Sequence, residues 1–146
     1  MLKEKLLEDL KTAMKEKDEI KKNTVQMVRA AILQVEKDKG ITLEDDKVLE
    51  IIAKESKKRK DSLVDYQKSG REDLIKQVEQ EIEILATYLP KQLTKEEITN
   101  IVKQIIQKTG ATSMKDMGTI MKEAKQTMGT SADGKTINEV VKELLG

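Results

Sequence analysis

The chain has 146 residues, 38% of them charged, and a net charge of +1, so it carries neither a strong basic excess nor an apolar run of membrane-spanning length. It has no cysteine and no histidine, which excludes a disulfide framework, thiol chemistry, and the commonest general base and metal ligand. The length fits one domain or two small ones.

With no Phe or Trp, two Tyr and one Pro, the core must come from Leu, Ile, Val, Ala and Met, and the composition favours helix throughout. Leu2, Leu6, Leu10, Ala13 and Met14 share one helical face, predicting a first helix from about Leu2 to Lys17. The Met1-Leu2-Lys3-Glu4 start reads as this amphipathic segment rather than a signal peptide, and a cytoplasmic location is expected. The pattern resets over Glu19 to Asn23, where Asn23 or Thr24 is expected to cap a second helix. Its inward face is Val25, Val28, Ala31, Ile32 and Val35, and Gly40 stops it. Thr42-Leu43-Glu44-Asp45 reads as a capping box opening a third helix, with Val48, Ile51, Ile52, Leu63 and Tyr66 on its apolar stripe. Along that stripe Glu55, Ser56 and Arg59 stand where apolar residues are due. Ser69-Gly70 breaks this helix. A fourth follows from about Arg71, with a seam of Leu74, Val78, Ile82, Leu85 and Leu89.

Pro90 lacks an amide donor and disfavours helix at Leu89, so the charged helical region is expected to end there. Thr94-Lys95-Glu96-Glu97 is a second capping box and restarts helix at once. Ile98, Ile101, Val102, Ile105 and Ile106 line that helix up to Gly110. Ser113 opens the next, with Met117, Ile120, Met121 and Ala124 inward. After a Gly129 to Gly134 loop, Asp133 caps a last helix carrying Ile137, Val140, Val141 and Leu144. The expectation is an all-α protein with about four helices in an N-terminal domain, 1–89, and a three-helix C-terminal domain, 90–146. Tyr88, Leu89 and Pro90 form the hinge between them.

No phosphate loop, nucleophile elbow, metal motif or dinucleotide fingerprint is present. Carboxylate runs such as Glu79-Glu81-Glu83 are what solvated helix faces produce. The polar interruption Glu55, Arg59, Ser62 and Tyr66 reads as an interhelical network, with Arg59 paired to Glu55 or to an acid of the fourth helix and fixing register. A ligand contact is the other reading. Lys54, Lys57, Lys58 and Lys60 around it make a solvated face, or contacts to a phosphate backbone. The helix starts at Ser113 and Asp133 sit beside Lys115, Lys122, Lys125 and Lys135, the candidate nucleic-acid-binding set. Without stacking aromatics, any such binding would follow phosphates rather than bases.

Four pieces occur in order: Lys58-Arg59-Lys60-Asp61-Ser62, Tyr88-Leu89-Pro90-Lys91-Gln92-Leu93, Asp116-Met117-Gly118 with Met121, and Ala132-Asp133-Gly134. Together they resemble the YqeY family (GatB/YqeY domain proteins) over essentially the whole chain. The family is similar to the C-terminal tail of the GatB subunit of Asp-tRNA/Glu-tRNA amidotransferase. The resemblance implies an α-helical bacterial accessory protein that binds tRNA or an amidotransferase-related partner. It does not by itself imply catalysis; were there any, kinship points to a carbon–nitrogen ligase with glutamine as amido-N-donor. No cofactor, metal or membrane is implied. One departure stands out: the family's basic residue before Ala-Asp-Gly is absent, those positions reading Thr130 and Ser131. The rival expectation is a helical protein–protein interaction adaptor with no RNA role.

Overall fold

Short caps and left-handed stops cut the charged sequence into seven helices and two 3₁₀ turns in a computed structural model describing all of Met1–Gly146. The protein is all-α, and no helix is long and apolar enough to cross a membrane. The chain divides into two compact units, Met1–Leu89 and Pro90–Gly146.

In the first unit, α1 (Leu2–Glu16) buries Leu6, Leu10 and Ala13, one side chain per turn. It ends on Lys17, the one non-glycine residue with positive φ, at 60°. The turn is so tight that Asp18 already caps α2 (Glu19–Lys39), its carboxylate accepting the Lys21 N–H at 3.1 Å. The expected cap at Asn23 or Thr24 is therefore corrected. Thr24 lies inside α2, buried, with its hydroxyl donating to the Ile20 carbonyl at 2.8 Å. A lysine in a left-handed stop has no strong sequence signature, because glycine normally fills that place.

Gly40, at φ 65°, ends α2, and α3 (Asp45–Ser69) follows. The expected box at Thr42 does not form: Glu44 is the N-cap and contributes no side-chain bond. The loop is tied down from outside instead. The Glu36 carboxylate accepts the Leu43 N–H at 2.7 Å and pairs with Lys3 of α1, while Asp45 accepts the Leu2 N–H at 3.1 Å. Leu43 is thereby held in the core. Gly70, at φ 71°, then reverses the chain into α4 (Glu72–Ala86). Helix gives way at Ala86, three residues before the expected stop; Thr87, Tyr88 and Leu89 continue through tighter i to i−3 bonds.

The first core collects Leu6, Leu10, Val28, Ile32, Val48, Ile52 and Leu85, with Tyr88 closing it. The Tyr88 hydroxyl donates to Asp9, and Lys5 lies over its ring. Burial, then the bond to Asp9 and its negative charge, push the phenol well above its usual range.

The second unit holds α5 (Lys95–Thr109), α6 (Met117–Met128) and α7 (Gly134–Leu145). Thr94 caps α5 by accepting the Glu97 N–H at 3.1 Å. Ser113 opens a 3₁₀ turn, Met114–Asp116, that leads into α6. Ile98, Val102, Ile105, Ile120, Ala124, Met128, Ile137, Val140 and Val141 form its core. The Leu93 N–H and the Gln92 amide pin this unit's first residues to the carbonyls of Ser131 and Thr130, at 2.8 and 3.0 Å.

The Glu36 clamp has a pH signature. Its hydrogen bonds to Lys3 and then to the Leu43 N–H hold the carboxyl below its ordinary value of 4.5. The folded state therefore binds that proton less tightly than the unfolded chain. Its contribution is complete above pH 4.5 and is lost as pH falls through the lower folded value. Glu36→Gln, which can still accept the Leu43 N–H, should lower the thermal midpoint at pH 7. The gap to wild type should close towards pH 3 in melting curves followed by circular dichroism.

Candidate functional site

The buried line of α3 runs Val48, Ile52, Ser56, Arg59, so after two aliphatic residues and a serine a guanidinium occupies a core position. Arg59 is 7% exposed. Removing such a charge from water is costly unless it is paired and hydrogen-bonded. Its Nη1 donates to the Glu55 carboxylate at 3.0 Å and to the Glu55 carbonyl at 3.1 Å, one turn back on the same helix. Its Nε donates to Glu81 of α4 at 3.2 Å. Nη2 meets only the sulfur of Met27 on α2, at 3.4 Å. One side chain thus ties together three helices.

Glu81 comes to Arg59 for a geometric reason. The two lie equally far from Gly70, eleven residues before it and eleven after, so an antiparallel pair of helices sets them at the same height. Within Glu79-Glu81-Glu83 only Glu81 points inward; its neighbours, about 100° per residue round the helix, are exposed.

The pairing forms the floor of an open groove of about 530 Å³. Met27 and Ala30 of α2, Tyr66 of α3 and Val78 of α4 wall it, and Lys58 stands at the rim. Lys58 lies 3.5 Å from Glu55 but is 63% exposed, so its pairing is weak. Ser62 lines the groove with its hydroxyl already donating to the Lys58 carbonyl at 3.1 Å. Tyr66 is half-buried beside it. Glu55, Arg59, Ser62 and Tyr66 therefore share one groove. Glu81 and Met27 complete it: Glu81 is the expected acid of the fourth helix and not part of a solvated face, equal spacing about Gly70 being the signal that selects it, while nothing in the sequence marks Met27.

The second unit carries Lys115, Lys122, Lys125 and Lys135, all exposed and none in an ion pair. Lys125 lays its stem over Gly134, next to Lys135 at the start of α7. Lys115 sits before the other end of α6, so ten residues, roughly 15 Å along a helix axis, separate it from Lys125. The Ser113 and Asp133 side chains each accept the N–H two residues on, at 3.3 Å. Tyr88 and Leu89 belong to the first core, and Pro90 is exposed. No group of three or more acidic, His or Cys side chains is placed to hold a metal ion.

A two-unit all-α chain with a groove floored by a buried ion pair in the first unit and a lysine-bearing helix pair in the second is the class that fold and site define. The chain belongs to the YqeY family: the model described as Yqey-like protein matches residues 3–145. It is 35% identical over 120 residues to altered inheritance of mitochondria protein 41, mitochondrial, of Vanderwaltozyma polyspora, covering 77% of this chain and 64% of that protein. The same-named protein of Kluyveromyces lactis is 37% identical over 105 residues, 69% of this chain and 56% of the relative. That of Pyrenophora tritici-repentis is 26% identical over 147 residues, 97% and 80% respectively. The match thus spans less than two thirds of the first of these relatives.

These relatives correct two expectations. They are named for the inheritance of mitochondria, not as accessories of a tRNA amidotransferase, so the amidotransferase-linked function falls. They are also mitochondrial by name, which overturns the cytoplasmic expectation. A bacterial source finds no support among them.

The ion network generates a stability test. Arg59→Met leaves two half-buried carboxylates facing each other and should cost about 2–4 kcal/mol at pH 7. Adding Glu55→Gln and Glu81→Gln should recover most of that loss. Urea unfolding of the single and triple variants measures both, and equal stabilities of Arg59→Met and wild type would contradict the network's role.

Proposed function

We propose that the chain performs, without catalysis, the role its domain performs in those relatives: a helical module that recognises a partner through the Arg59 groove. In this reading the four helices of residues 1–89 are the recognition scaffold, and the three helices of residues 90–146 form an accessory domain. The relatives' names attach that role to the inheritance of mitochondria.

One observation carries the reading. A guanidinium that is 7% exposed, with one nitrogen meeting only a thioether, sits on the floor of a groove open to solvent. A device serving register alone needs no groove above it, and an apolar residue would fill the position at lower cost. Charged groups combined with apolar walls are the usual make-up of a recognition site.

The test is complementation. A Kluyveromyces lactis strain deleted for its relative receives this chain behind a mitochondrial leader, and transmission of mitochondria to daughter cells is scored. Wild-type chain should restore transmission. The Tyr66→Ala/Glu81→Gln variant, which leaves Arg59 paired with Glu55, should not, while circular dichroism shows it folded. Equal rescue by both chains would refute the groove's role, and failure of the wild-type chain would refute the shared role.

A further inference from the structure

We propose that the occupant of the Arg59 groove is a basic side chain, Lys or Arg, presented by a segment of a protein partner; this rests on the groove being the recognition site. The electrostatics of the floor decide the sign. Two carboxylates, Glu55 and Glu81, 13% and 15% exposed, share one guanidinium that is 9% exposed. The other charged lining residue, Lys58, is 63% exposed, so water and salt screen it. Within the half-buried layer one negative charge is left over.

The unused acceptor is in place. Glu81 Oε1 receives the Arg59 Nε–H, and its second oxygen takes no hydrogen bond from the protein. An acidic group entering the groove would meet Nη2, the Tyr66 hydroxyl and the solvent-screened Lys58, against the repulsion of the two little-exposed carboxylates beside Nη2. A cationic head can make a charge-assisted hydrogen bond to the second oxygen of Glu81, a carboxylate only 15% exposed. Its methylene stem lies along Met27, Ala30, Tyr66 and Val78, as long basic side chains do on apolar surface. Met27 is 53% exposed and unbranched, so it can adjust to the stem. A groove of about 530 Å³ holds such a side chain together with part of its backbone, which favours a polypeptide over a free amine.

The test uses the full chain with its Met27 methyl group as an NMR probe, identified by its loss in Met27→Leu. The peptide Ac-Ala-Leu-Arg-Leu-Ala-NH2, titrated at low salt, should move this resonance saturably. Glu81→Gln, which keeps an oxygen for the Arg59 Nε–H, should weaken the effect roughly fivefold. The same peptide with Glu in place of Arg should leave the resonance unmoved. An unmoved Met27 methyl with the Arg peptide, or a stronger response to the Glu peptide, overturns the assignment. Spermidine binding as tightly as the Arg peptide overturns the polypeptide part. Complementation separates the two readings: if it needs the groove while no basic peptide binds, this inference falls and the groove's role stands.

Discussion

Arg59 fixes the first unit because an ion pair tolerates so little displacement. Apolar side chains of α3 and α4 can slide by a turn and still find apolar neighbours. A buried guanidinium cannot, since moving it one turn, about 5.4 Å, strands its charge and both carboxylates. Its contacts with Glu55, Glu81 and Met27 thus define the height at which α2, α3 and α4 meet.

Helix existence and the apolar faces were legible because they depend on local periodicity. The inward residues of the second unit, Ile98, Val102, Ile105, Ile120, Ala124, Ile137, Val140 and Val141, are readable from spacing alone. The caps were less so. Thr94, Ser113 and Asp133 cap as their sequences suggest, each bonding a nearby N–H. Thr42 does not: Glu36 takes the Leu43 N–H, and Asp45 of the expected box turns instead to the Leu2 N–H, contacts 7 and 43 residues apart in sequence. The helix end at Lys17 was legible, but its left-handed turn was not, because glycine is the usual signal for that conformation. The oddity of Glu55, Ser56 and Arg59 on an apolar stripe was plain in the sequence, as was a pairing of Arg59 with Glu55 or an acid of α4; that the acid is Glu81 required a third dimension.

The two units differ in how polar groups are used. The first builds charge into its interior and ties loops with it, as at Glu36, Asp9 and Arg59. The second keeps its lysines outside and fills its centre with aliphatic side chains and methionine. Kinship read from motifs placed the family correctly and its biochemistry wrongly. The motifs follow the helical frame, Pro90 and the capping residues among them, while the relatives' names concern mitochondria.

Scarce aromatic residues give the molecule two internal optical labels. Tyr66 and Tyr88 are its only ultraviolet-absorbing side chains above the peptide band, and both belong to the first unit. One borders the groove and the other is locked in the core against Asp9. The second unit is spectroscopically silent. Any change in tyrosine emission therefore originates in the first unit, with the half-exposed ring reporting on the groove and the buried one on the integrity of the scaffold beneath it.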